Sequence, residues 1–194
     1  MARPALKKSA IEAAALSLFA ARGVPDTTIK DIALRAGVAE GALYRHYPGK
    51  NEMAVALFKR EVEKFGALLS PLLFDPSRSL RSRLRSSIRF MYRYYRDYPV
   101  EFTFILMTQH GFPERQILRP SLNPNDLVIR FVKDAPSERS PRRDPVLLAA
   151  LLMGAVLQPA VMHRYGRLKT HPLSLVDEVA LACERLLEIE RARA

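Results

Sequence analysis

Tyr44, Arg45, His46 and Tyr47 follow one another in the chain, with Glu40 four residues before Tyr44 and Lys50 three after Tyr47. Phenol, guanidinium, imidazole and ammonium groups on one short segment are hydrogen-bond donors suited to phosphate oxygens and base edges. They form no nucleophile–base pair. His110 and His163 have no evident carboxylate or nucleophile beside them in sequence, and no phosphate-cradling glycine loop or metal-spaced cluster is present. The single cysteine, Cys183, excludes an internal disulfide framework and a cysteine-based zinc site. The chemistry on offer is recognition of a polyanion, so no enzymatic activity, cofactor or metal is expected.

Those side chains need elements to hold them. Thr28 offers an N-cap, with Asp31 three residues on, for a short helix over Ile29–Ala36. Ile29, Ile32, Ala33 and Ala36 give it a narrow inner face. Gly37 ends it, and a second short helix follows over about Ala39–Tyr47. Val38 and Leu43 fill the wedge between the two, while Gly41 and Ala42 permit close approach. The second helix then presents Tyr44, Arg45 and His46 outward, a shape that fits the DNA major groove. A first helix, Leu6–Arg22, stops at Gly23. Its Ile11, Ala15, Leu18 and Phe19 follow helical phase, and Glu12 interrupts any reading of this stretch as a signal peptide. Pro48-Gly49 breaks the chain before a fourth helix from Lys50 or Asn51 to about Leu69. Amide groups at the start of that helix attract phosphate.

The stretch TIKDIALRAGVAEGALYRHYPGK resembles the TetR family of one-component transcriptional regulators. The likeness is densest over Ile11–Leu57. It includes Phe19 and Gly23, Thr27-Thr28, Asp31-Ile32-Ala33, Ala36-Gly37-Val38, Gly41-Ala42-Leu43-Tyr44, His46-Tyr47 and Lys50. The resemblance implies that Thr28, Tyr44, His46, Tyr47 and Lys50 contact phosphates. It implies that Lys30, Glu40, Gly41, Ala42 and Arg45 read or approach base edges. Three positions depart from the pattern. Ala39 replaces a capping Ser or Thr, Ala42 a common Thr, and Glu40 a basic or polar residue. They bear on which operator is read.

The remainder also reads as helix, without period-two alternation or hairpin signals. Lys plus Arg is 31 against 20 Asp plus Glu, a net charge of +11, and 48% of residues are hydrophobic. That combination excludes a disordered polycation and favours an anionic partner. Helices are predicted over Leu80–Asp97, with Ser79 as cap, then Val100–His110, Leu127–Val132, Val146–Tyr165 and Leu175–Arg193. Arg81, Arg85, Arg89, Arg93 and Arg96 form a stripe on the first of these, either a solvated face or a surface for an acidic ligand or partner. The apolar run Val146–Leu157 is shorter than a bilayer span and reads as a buried helix. Met91, Tyr95, Phe102, Met107, His110, Met153, Gln158 and Met162 are candidate lining for a mostly apolar pocket. Leu148 and Leu152, with Val176, Val179, Ala180, Cys183, Leu186 and Leu187, are candidate dimer contacts.

The sequence therefore predicts an all-α chain. Residues 1–50 form a three-helix, helix-turn-helix DNA-binding domain, and residues 51–194 form a helical bundle for ligand binding and dimerisation. The expected function is that of a cytoplasmic homodimeric repressor, released from a near-palindromic operator by a small apolar or aromatic effector, with no membrane partner. The alternative is a basic helical module that binds protein or membrane surfaces without reading DNA sequence.

Overall fold

The computed structural model describes residues 3–107, 118–135 and 144–188, and every element among them is helical. Helix α1 spans Arg3–Arg22 and buries Ile11, Ala15 and Phe19 completely. Gly23 ends it with φ +84°, its N–H bonded to the Phe19 carbonyl at 2.9 Å. Helix α2, Ile29–Ala36, starts on a complete capping box. The Asp31 N–H donates to Thr28 Oγ1 at 3.1 Å, and the Thr28 N–H donates to the Asp31 carboxylate at 3.0 Å. It ends at Gly37, whose φ of +66° lets the Val38 N–H reach the Ala33 carbonyl at 3.0 Å.

Helix α3 covers only Gly41–Tyr44, shorter than the predicted Ala39–Tyr47. Glu40 makes no side-chain cap, and beyond Tyr44 the chain continues as turns, with the His46 and Tyr47 N–H groups both on the Leu43 carbonyl. Helix α4 spans Lys50–Leu73, four residues past the predicted end. Pro71 sits inside it, yet the helix persists. Pro71 and Ala67, whose carbonyl loses a donor, are exposed to water, while Leu69 and Leu73 are buried and hold the last turn in place.

Helix α5 is Leu80–Asp97, with the Ser82 N–H on Ser79 Oγ at 3.2 Å as predicted for the cap. The short α6, Pro99–Phe102, gives way to a π-helical turn over Thr103–Met107. The rest of the helix predicted to His110 lies outside the described residues. Helix α7 is Pro124–Lys133 with Asn123 as N-cap. Helix α8 is Pro145–Arg164 with Asp144 as N-cap, and a 3₁₀ turn at Pro172–Leu175 leads into α9, Val176–Leu186.

These elements form two compact units, one comprising residues 1–62 with 98–118, the other 63–97 with 119–194. In the first, α1 packs on α2, α6 and the π turn, with Phe19 and Phe58 each 6.1 Å from the Phe104 ring. In the second, α5 packs on α9, and α8 lies against α7 and α9. The Tyr92 hydroxyl crosses this core to the Val156 carbonyl at 2.9 Å. Phe65 meets Tyr94 edge-on at 5.0 Å. Gly66 lets α4 approach the backbone at Leu122, where an added Cβ would lie 1.9 Å from the carbonyl oxygen.

Candidate nucleic-acid interface

Helices α2 and α3 meet at the Gly37 turn with Ile32, Ala33 and Leu43 buried between them and α1. Burying that face leaves Lys30, Glu40, Gly41, Tyr44 and Arg45 exposed, Tyr44 by 56%. Ala42 and His46 are half-buried. A guanidinium, a phenol and a lysine ammonium are thus exposed on this unit, and no neighbour lies within 4 Å of a Cβ built at Gly41. Lys50, at the first residue of α4, donates from Nζ to the Pro25 carbonyl at 3.1 Å. That contact draws the loop before α2 towards the start of α4.

Two residues serve the fold as well as, or in place of, the contacts predicted for them. Thr28 Oγ1 donates to Asp31 at 2.7 Å, so its proton is committed within the cap. Asp31, which also binds Arg22, is held below the ordinary carboxylate range, chiefly by its bonds from Thr28. Tyr47 is half-buried, and its hydroxyl donates to Glu12 on α1 at 2.6 Å. Burial, followed by this bond to a carboxylate, pushes the phenol up to about 12.

Glu12 belongs to a small network. Arg60 on α4 binds both Glu12 and the buried Glu61, and Lys8 lies 3.8 Å from Glu12. Burial alone would raise the Glu12 pKa, but the hydrogen bonds from Tyr47 and Arg60 and the charges of Arg60 and Lys8 outweigh it, and the net shift is downward. Sequence reading missed Glu12 and Arg60, whose partners lie 35 and 48 residues apart in the chain. It also missed Leu34, which projects from α2 with 83% of its surface exposed. The signal was present, since Leu34 falls off the inner stripe of that helix.

The second unit contains a small apolar cavity that opens to solvent. Met91 and Met153 line it, as does Leu152, which was predicted at the dimer contact. Tyr95 lies one turn further along α5 and bonds His163 Nδ1 at 2.9 Å. The His171 ring stacks on Tyr95 with centroids 5.8 Å apart. Phe102 and Met107 belong to the other unit, Gln158 and Met162 are exposed, and His110 lies outside the described residues. The predicted pocket set is therefore not brought together as one group.

The candidate dimer stripe divides in a similar way. Val176, Ala180, Cys183 and Leu187 are buried within their own chain, while Leu148, Val179 and Leu186 are half-buried. The exposed apolar surface lies instead on the far side of α8, at Leu147, Leu151 and Met162. By length and composition α8 is apolar enough to cross a membrane, which the shorter run Val146–Leu157 had not indicated. The arginine stripe also separates. Arg81 and Arg85 pair with the buried Glu184 at 3.2 and 3.9 Å, Arg85 with Asp177 at 2.6 Å, and Arg96 with Asp97 at 2.7 Å. Arg89 and Arg93 are exposed.

An all-helical chain with two short helices at a glycine turn and exposed donors on the second is a helix-turn-helix protein. Residues 11–57 match the family model for bacterial regulatory proteins of the TetR family. The transcriptional repressor KstR2 of Mycobacterium tuberculosis is 31% identical over 147 residues, covering 62% of this chain and 72% of that protein. The transcriptional regulator TtgW of Pseudomonas putida is 52% identical over 44 residues, which span 23% of this chain and only 33% of that relative's length. Among solved structures, FadR of Bacillus subtilis in complex with stearoyl-CoA superposes with a TM-score of 0.72 at 18% identity, covering 95% of this chain and all of the other. The chain belongs to the TetR family.

Proposed function

We propose that the protein is a ligand-responsive transcriptional repressor that binds a near-palindromic operator as a homodimer in the cytoplasm. The observation that carries this reading is the exposure of Lys30, Gly41, Tyr44 and Arg45 on a helix-turn-helix that buries Ile32, Ala33 and Leu43 on its other face. Residues 1–50 form the DNA-reading part and residues 51–194 the effector and dimerisation part. Arg45 is the residue suited to bidentate guanine contact. Lys50, His46, Tyr44 and the Thr28 backbone lie along the phosphates, and Glu40 accepts from a cytosine amino group. Leu34, on the same helix as Lys30, meets a thymine methyl or the sugar edge.

The dimer is supported by α8. Ala149, Leu152, Val156 and Ala160 face the chain's own core, whereas Leu147, Leu151, Gly154, Gln158 and Met162 recur at helical spacing on the exposed side. No neighbour lies within 4 Å of a Cβ built at Gly154, so the middle of that side is open to a second helix. A second copy covers it more economically than lipid does, because Gln158, His163 and Arg164 interrupt its last turns. Two-fold symmetry then sets the recognition helices one DNA turn apart, about 34–36 Å.

The apolar cavity is the effector site, in keeping with relatives that include a repressor and a regulator solved with a fatty acyl thioester. An effector releases DNA only if it binds the mis-spaced state more tightly than the DNA-competent one. Selection of fragments from a random DNA pool, followed by fluorescence anisotropy at several salt concentrations, tests the proposal. An enriched inverted repeat, bound well above random DNA and more weakly as salt rises, is the expected result. Weak binding with no enriched sequence overturns it.

A further inference from the structure

Three rings meet where α5 and α8 pack on the 3₁₀ turn that leads into α9. His163 stands in the last turn of α8 and His171 immediately before the 3₁₀ turn, with ring centroids 5.0 Å apart and planes at 73°. Tyr95 of α5 completes the group, its ring 5.8 Å from each imidazole.

The two histidines differ in what they face. His163 Nδ1 lies 2.9 Å from the Tyr95 hydroxyl, which can donate or accept and so adjusts to either state of the ring. His171 Nδ1 accepts from the Leu173 N–H at 3.2 Å and so caps the 3₁₀ turn Pro172–Leu175. A backbone N–H can only donate, so this bond requires a bare Nδ1. The neutral ring therefore carries its proton on Nε2. A second proton must go to Nδ1, and it breaks the cap.

The surroundings set the same preference. Burial, then the neighbouring His163 of α8 and Arg96 of α5, disfavour a charge on His171 and hold its pKa below the ordinary 6.5. Arg164 follows His163 on α8, and Arg167 and Lys169 lie in the connecting loop. Of the acids on α5 and α9, Asp97 is bound by Arg96, Asp177 by Arg85 and Glu184 by Arg81, while Glu178 is exposed. The face of Tyr95 favours a cation on His171 and is outweighed.

We propose that His171 is a proton-sensitive clamp at the entry to α9, closed while its ring is neutral and released when the ring takes up a second proton. A group whose pKa is lowered by folding adds stability that is complete above its unfolded value and is lost as pH falls through the folded one. The clamp therefore opens in mild acid, below 6.5, before the range under 4.5 in which Glu12 acts.

Urea unfolding of the full-length protein at pH 7.5 and 5.5 tests this. His171→Asn keeps a side-chain oxygen that accepts from Leu173 at either pH. Over that interval the unfolding constant is expected to rise about fivefold more in the wild type than in this variant, the worth of one cap. Imidazole and amide nitrogen spectra of the wild type give a second reading. His171 is expected as the Nε2–H tautomer at pH 7.5 and to titrate below 6.5, with the Leu173 amide signal moving in step. An equal rise in both proteins, a neutral His171 protonated on Nδ1, or a Leu173 amide that ignores the titration overturns the clamp. Should the Asn variant fail to fold, the wild-type spectra decide alone.

Discussion

Tyr47 shows how much a single hydroxyl decides. Its neighbours Tyr44 and Arg45 face solvent, but its own proton is given to Glu12, so it braces the DNA-reading segment against α1. Tyr47→Phe is expected to cost about 1 kcal/mol in urea unfolding while changing operator affinity little. Arg45→Ala is expected to cost about 1–3 kcal/mol of operator binding and to relax selectivity at one base pair. Lys50→Ala should weaken binding to all sequences alike and reduce the salt slope by about 1, both read from anisotropy across a salt series. Glu12 adds a pH dependence. Its folded-state pKa lies below the ordinary 4.5, so its contribution to stability is complete above that value and is lost as pH falls through the folded pKa. Glu12→Gln should therefore flatten the acid limb of the unfolding midpoint plotted against pH. Arg45 and Lys50 were legible in the sequence, but the contact of Tyr47 with Glu12 was not. The residue types at 44–47 indicate which groups can donate, but the acceptor for Tyr47 lies 35 residues away.

At the scale of the element, what was legible was local. The Thr28–Asp31 box, the Gly37 stop and the Ser79 cap each depend on residues within a turn of one another, and all three are present. Thr28→Ala is expected to destabilise the chain by about 1 kcal/mol, and Gly37→Ala by about as much because φ is +66° there. Thermal melts monitored by circular dichroism measure both. Elements fixed by distant packing were not legible. α4 outruns Pro71 because Leu69 and Leu73 are buried, and after Tyr44 α3 gives way to turns that bring Tyr47 to Glu12 on α1. Gly66 belongs to this second group. Nothing local marks it, yet a methyl group there would collide with the Leu122 backbone. Gly66→Ala should lose about 3 kcal/mol or more in urea unfolding, an overpacking cost that the backbone cannot readily relieve.

For the molecule as a whole, the sequence pattern shows that a helix has an apolar stripe but not which partner covers it. Val176, Ala180 and Cys183 read as dimer contacts, but α5 and α8 of the same chain pack on α9. The stripe left open is on α8, where Leu147 is 58% and Leu151 49% exposed. Leu151→Glu is expected to convert dimer to monomer in sedimentation velocity and to leave helicity unchanged. Operator affinity falls with it, since one protomer reads only one half-site. The buried cysteine offers a further use. Cys183 is the only thiol in the chain, fully enclosed, and desolvation, reinforced by the charge of Glu184, pushes it up to about 11. A thiol-reactive dye can reach it only when the packing around α9 opens, so the labelling rate is a clock for that opening. A compound that binds the closed bundle slows the clock in proportion to its occupancy. Effectors can then be found by counting modified protein in a mass spectrum, before any operator is known.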